Sequence, residues 1–310
     1  MSIKKVILRY ILNRKIPFYF PLFSLLLIQP LYASVTGVIE NQEVAILFDE
    51  HLRQAAEDTA EVYPIIKKKL EDVIGWHVRF KPTIILVKDS GTFQRMAGND
   101  LIVAFAVPGR DLIVVDYSKM KTDPFTLDET IKHELCHLLL HKYISKEHLP
   151  RWLDEGVAQW ISGGLPDIMM KKNIFLDEEI LSGRYLSLKT LTDRFPSSSR
   201  TLTLAYAESK SFIDYIVREY GSQGIIRLLH YLKDGEPIHT AVTKSFSISI
   251  EELEKRWQDQ LKKRATWISF IVNNLYVILF FVAGLLVIFG FIKVFKKKRS
   301  YRDEDIEPDL

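Results

Sequence analysis

The chain has 310 residues, a 47% hydrophobic share and a formal charge of +3, enough apolar material for one sizeable globular domain and membrane segments besides. Lys4, Lys5, Arg9, Arg14 and Lys15 precede any acid, so the remainder is mildly acidic and gives no reason to expect a nucleic-acid partner. The single cysteine, Cys136, excludes an internal disulfide and leaves packing, together with a bound metal, to hold the domain.

Residues 1–33 read as a signal sequence. A basic start leads into the apolar run Phe18–Ile28, interrupted around Pro17, Pro21 and Pro30, and Leu31-Tyr32-Ala33 offers a small residue before Ser34. An uncleaved anchor is the alternative; in either case the following residues are exported. Glu43–Val73 is rich in helix formers, with Leu52, Ala55, Ala56, Ala60, Ile66 and Leu70 on an interrupted apolar face and Pro64 expected to kink or end the helix. The period then changes. Val78–Lys88 reads as a strand whose second half is buried on both faces, and Gly91–Met96 as a short helix. Leu101–Val107 and Leu112–Tyr117 form two β-rich runs around Pro108-Gly109-Arg110-Asp111, a hairpin signal.

The next segment carries the chemistry. Asp123-Pro124 and Thr126-Leu127-Asp128-Glu129 both read as helix starts, the second as a capping box. Ile131, Leu135, Leu138 and Leu139 then recur at helical spacing and predict packing on the sheet. Within this helix lies His133-Glu134-Leu135-Cys136-His137. Residues four apart on a helix lie about 40° apart around the axis, so His133 and His137 can reach one ion. Glu134 leaves the same turn at about 100°, placed to take a proton from water at the metal without binding the metal itself. Cys136 points away from the pair, as a buried, inert thiol. Such a zinc site needs a third protein ligand and an open fourth position. The extended motif with Gly at 140 and His at 143 is excluded by Leu140 and Tyr143. An acid from a following helix remains, and Asp154-Glu155 is the obvious source.

Leu149–Trp160 is helical by its face Leu153, Val157, Trp160 and Ile161. Residues 163–200 are mixed and loop-rich. Leu204–Tyr220, ending at Gly221, then Gly224–Lys233 and Ser249–Arg264 read as amphipathic helices. Ile268–Ile292 contains no charge and is long enough to span a bilayer, with Trp267 and Tyr276 near one interface. The expected organisation is a signal sequence over 1–33, an extracytoplasmic domain over 34–266, a transmembrane helix over 267–292 and a cytoplasmic tail over 293–310. In a Gram-negative cell the domain is periplasmic.

His133-Glu134-Leu135-Cys136-His137-Leu138-Leu139, the run Pro150–Ala158 (Pro-Arg-Trp-Leu-Asp-Glu-Gly-Val-Ala) and the downstream stretch from Ala205-Tyr206-Ala207-Glu208-Ser209 to Tyr220-Gly221 together resemble the gluzincin HExxH peptidases, and within them the peptidase MA-like family. The resemblance covers roughly residues 75–235. It implies an α+β, zincin-like metallopeptidase domain: a mixed sheet and an active-site helix, then a helical lobe. It implies zinc held by His133, His137 and Glu155, with Asp154 at the variable position of the tryptophan–leucine–any–glutamate–glycine pattern. It also implies Glu134 as general base, and Tyr206 as a hydrogen-bond donor to the tetrahedral oxyanion. Asp154 or Gln159 is expected to hydrogen-bond a ligand imidazole. His141 is expected to face solvent or the helix C-terminus, and His51, His77 and His148 to be structural. The substrate implied is a peptide or protein lying antiparallel to an edge strand, for which Leu101–Val107 is the choice. Two further readings stay open at this point: a silent zincin-fold interaction protein, and a zinc hydrolase of a non-peptide bond.

Overall fold

In the computed structural model the described residues are 36–98, 101–120, 125–163, 179, 182, 185–196 and 198–304. The expected signal sequence, the Asp123-Pro124 cap and the last six residues of the tail lie outside them. Five short runs dominated by aliphatic residues make one mixed sheet: β1 (Gly37–Glu40), β2 (Ala45–Phe48), β3 (Thr83–Val87), β4 (Ala104–Val107) and β5 (Leu112–Asp116), in the order β1-β2-β3-β5-β4. β2, β3 and β5 are parallel to one another, while each edge strand pairs antiparallel with its neighbour. Parallel strands need crossovers, and helix α1 (Arg53–Ile74) provides the one from β2 to β3.

Alternation along the strands separates two layers. Ile46, Phe48, Ile84, Leu86, Ile113 and Val115 join the main core, while Leu47, Ile85, Val87 and Val114 face a smaller cluster built on Phe93 of α2 (Ser90–Ala97). β3 is therefore covered on both faces, as its run of four aliphatic residues predicts. The expected strand over Val78–Lys88 starts only at Thr83, and the hairpin between β4 and β5 forms through a short 3-10 turn at Pro108–Arg110.

Two expectations for the first segment are corrected. Ala45–Phe48 is a strand, not the beginning of a helix, because Asn41 closes a tight turn by accepting from the Glu43 and Val44 amides at 2.8 and 2.9 Å. Pro64 neither ends nor interrupts α1, which runs 22 residues through it. It sits on the exposed face, where the carbonyl that its ring leaves unpaired can turn to water.

The second half is helical: α3 (Leu127–Tyr143), α4 (Arg151–Ser162), α5 (Ser199–Lys233), α6 (Ile238–Phe246), α7 (Ile250–Asn273) and α8 (Leu275–Glu304). α5 contains a break at Gly221, whose φ of 72° and ψ of 168° suit glycine, where the sequence places a helix end. α3 lies against α1, α4 and the β4–β5 edge of the sheet, so it is buried all round from Thr130 to Leu140 except at Lys132. Asn274 divides the expected 267–292 span between α7 and α8. Within α8, Leu275–Val294 is long and apolar enough to cross a membrane, and no part of it is buried against the domain.

Candidate active site

α3 begins without the expected capping box. Thr126 is the N-cap residue, yet its hydroxyl makes no cap bond; Asp128 and Glu129 in the first turn and His141 and Lys142 in the last complement the helix dipole instead. One turn apart on this helix, the Nε2 atoms of His133 and His137 face each other at 3.1 Å, with the rings edge-to-face. Both side chains are buried, as is Glu134 between them in sequence, and all three line one groove.

The third group comes from α4. Pro150 is its N-cap and makes no side-chain cap bond, so the free amides of the first turn need other acceptors. The segment 185–196 supplies them: Arg151 N bonds Thr192 O at 2.8 Å and Trp152 N bonds Leu191 O at 3.1 Å. Trp152 packs edge-on to Phe212 of α5, which in turn meets Trp257 of α7 edge-to-face. Gly156 lets α5 approach closely, since a Cβ there would meet the Ser209 carbonyl oxygen at 2.6 Å. This packing fixes α4 with Glu155 Oε2 at 3.6 Å from His133 Nε2 and 3.5 Å from His137 Nε2. Among the described residues, His133, His137 and Glu155 are the group able to hold a metal ion.

The donor set fits zinc. Ligand distances of about 2.0–2.1 Å in a tetrahedral centre put neighbouring donors about 3.3–3.4 Å apart, close to the separations of 3.1, 3.5 and 3.6 Å here. Two imidazole nitrogens and a carboxylate oxygen leave a fourth position facing the groove. His137 Nδ1 lies 2.6 Å from Asp154 Oδ1, which fixes its tautomer with the Nε2 lone pair toward the centre. His133 Nδ1 is buried without a partner.

Of the two residues expected to hold an imidazole, Asp154 takes that position, while Gln159 donates instead to the Tyr206 carbonyl at 3.1 Å and ties α4 to α5. His141 sits at the C-terminal end of α3, one of the two places expected for it, and does not simply face solvent: its Nε2 lies 3.0 Å from Asp154 Oδ2, because the acid of α4 reaches across to the last turn of α3. His51 is exposed beside Asp49, His77 is exposed, and His148 meets the Ser145 hydroxyl; none of the three touches the site. Cys136 is fully buried, and burial pushes its thiol up, as expected of an inert core residue.

Arg151 is the residue that sequence reasoning missed. Its Nη2 lies 2.5 Å from Glu155 Oε1 and its Nη1 3.5 Å from Asp154 Oδ2, and it lines the groove together with Tyr206. The available signal was a base four residues before an acid on one helix. The electrostatics follow from three buried carboxylates, Glu134, Asp154 and Glu155. Burial pushes Glu134 up, against the pull of the two histidines. Burial also opposes charge on Glu155, but His137 and Arg151 outweigh it and hold that carboxyl well below its usual range. His137 is raised in turn because Asp154 and Glu155 outweigh its own burial. Burial, followed by the charge of Glu155, raises Tyr206, so its hydroxyl stays protonated and able to donate.

The groove encloses about 850 Å³ between α3 and the edge strand β4, with Leu101–Ala106 along one wall and His133, Glu134, His137, Glu155 and Tyr206 on its floor and far side. A second cavity of about 800 Å³ adjoins it beyond Arg151 and Tyr206, walled by Leu149, Phe195, Leu202 and Ile238.

Among solved structures, an M1 zinc metallopeptidase variant from Deinococcus radiodurans is similar, with 13% identity and a TM-score of 0.41 over 72% of this chain; the match spans about half, 51%, of that chain. No curated protein matches. A family model described as Peptidase MA superfamily matches residues 106–263, from β4 into α7 and across both helices of the site. With half of the chain matched, including every residue of the histidine–glutamate constellation, this protein belongs to the Peptidase MA superfamily.

Proposed function

We propose that the chain is a membrane-tethered, zinc-dependent peptidase acting outside the cytoplasm. The observation that carries this reading is the convergence of His133 Nε2, His137 Nε2 and Glu155 Oε2 at 3.1–3.6 Å, beside a buried Glu134, on the floor of a groove bordered by a sheet edge. His133, His137 and Glu155 hold the ion. When bound, zinc polarises the scissile carbonyl and makes water acidic enough to serve as a nucleophile at neutral pH.

The remaining chemistry belongs to the chain. A carboxylate of Glu134 takes a proton from the attacking water and returns it to the leaving amine, a role favoured by the burial that raises its basicity. Tyr206 Oη donates to the oxyanion that forms as the carbonyl becomes tetrahedral. The substrate backbone lies antiparallel along β4, whose outer edge is unpaired by any strand in the sheet. Residues 1–33 export the chain, α8 anchors it through the apolar stretch that begins at Leu275 and ends at Ile292, and the residues from 293 onward remain cytoplasmic.

The test uses full-length protein in detergent. Elemental analysis is expected to find one zinc per chain, and Glu134→Gln to keep the metal while abolishing cleavage. A wild-type protein devoid of zinc refutes the reading. Comparing membrane and exported proteins of cells carrying wild type or Glu134→Gln identifies the substrate, as the species that accumulates uncleaved in the variant.

A further inference from the structure

We propose that Arg151 is a positioning residue that restricts Glu155 to a single metal-facing oxygen, an inference that rests on His133, His137 and Glu155 forming the metal site. The two oxygens of this carboxylate have different surroundings. Oε2 faces both imidazoles at 3.5 and 3.6 Å, whereas Oε1 is taken by Arg151 Nη2 at 2.5 Å. A glutamate with both oxygens free can grip an ion twice, filling the position that a catalytic zinc must keep open. The guanidinium removes that option by binding Oε1 from the side.

The fold holds the guanidinium where this requires it. Arg151 precedes Glu155 by four residues, so the two side chains share one face of α4. Its backbone amide is tied to Thr192 O at 2.8 Å, and the ring of Phe195 lies 5.8 Å beneath the guanidinium carbon. The planar fork also reaches Asp154 Oδ2 at 3.5 Å, so one cation engages the carboxylate at the centre and the one that orients His137. A lysine carries the same charge without the fork and can engage Glu155 without Asp154.

The experiment uses full-length protein loaded with zinc for K-edge X-ray absorption and with cobalt(II) for visible spectroscopy. Wild type is expected to show four donors. Arg151→Gln is expected to retain metal but to show five, the added one a second carboxylate oxygen, with weakened and shifted cobalt bands. Arg151→Lys is expected to fall closer to wild type, because a charge beside Oε1 is retained. Superimposable spectra of wild type and Arg151→Gln overturn the proposal, as does a wild-type centre already bound by both Glu155 oxygens. An Arg151→Lys protein as poorly folded as Arg151→Gln assigns the residue a structural role and overturns it too. Absence of zinc from the wild-type protein is a different failure, that of the metal site itself.

Discussion

Replacing Gly156 by alanine tests whether the close approach of α4 and α5 sets the geometry of the site. The added Cβ would lie 2.5 Å from Ile213 Cγ1, 2.6 Å from the Ser209 carbonyl oxygen and 3.1 Å from its carbon. Ser209 O is helix backbone and cannot swing aside. Restoring a carbon–oxygen contact of about 3.3 Å requires the helices to part by about 0.7 Å. Overpacking of this kind costs about 1–3 kcal/mol, offset by about 0.5–1 kcal/mol for removing a glycine from a helix interior. The net loss is about 0–2.5 kcal/mol, centred on about 1 kcal/mol, and each kcal/mol lowers Tm by about 2–4 °C in a domain of this size. The functional loss is larger. Glu155 adjoins Gly156 and must stay within ligand distance of two histidines on another helix, and a misplacement approaching 1 Å costs on the order of 100-fold in turnover. Calorimetry, zinc content and hydrolysis of a quenched-fluorescent peptide mixture, all on full-length protein, give the three readouts. Gly156→Ala protein with unchanged Tm, zinc and turnover refutes the argument.

Asp154→Asn removes the carboxylate that His137 Nδ1 and His141 Nε2 share, and is expected to weaken zinc binding about 10–100-fold, read by chelator competition. Tyr206→Phe keeps the ring packed edge-on against Phe195 but deletes the donor; kcat is expected to fall about 100–1,000-fold with KM little changed. Glu208 gives a pH prediction away from the metal. Its burial, then the charges of Glu254 and Glu179, outweigh a hydrogen bond from Leu186 N and push the carboxyl up to about 8, from an ordinary value of 4.5. Between those limits the folded state holds a proton that the unfolded chain releases. The contribution of Glu208 is therefore complete below pH 4.5 and lost as pH rises through about 8, at up to about 1.4 kcal/mol per pH unit. Glu208→Gln is expected to flatten the fall in Tm over that window relative to wild type; parallel Tm–pH curves would contradict the assignment.

The helices of the site were the most legible parts of the chain. His133, His137 and Gly221 each carry a local signal, either a fixed spacing on one helix or a residue that ends one, whereas the choice of Glu155 over Asp154 came from the family resemblance. β3 was legible because four consecutive buried aliphatic residues suit a strand covered on both sides. β1 and β2 were not, since each is four residues long and the charged, helix-forming sequence after them dominates any longer window. Pro64 misled for a different reason: the rule concerns a lost hydrogen bond, and its cost depends on whether that face of the helix meets water. The partners of the site were legible only in part because they are tertiary. Asp154 was one of two residues expected to hold an imidazole, but its second bond, to His141, was not foreseen, and the amides of Arg151 and Trp152 find acceptors some forty residues downstream. Spacing alone cannot reveal such pairings.

The position of β4 at the end of the sheet has a consequence for what can enter the groove. Its outward amides and carbonyls form an unfinished ladder, the kind of surface on which stray chains tend to nucleate aggregates. Here that edge lines the same groove as α3 and the loop that follows it, with Lys142 and Lys146 also among the lining residues. In a folded protein most backbone groups are already paired, so few are free to complete the ladder. An unstructured segment can complete it. Under the proposed function, the unpaired edge would thus act as a filter on conformation, admitting loops, tails and unfolded chains in preference to native surfaces.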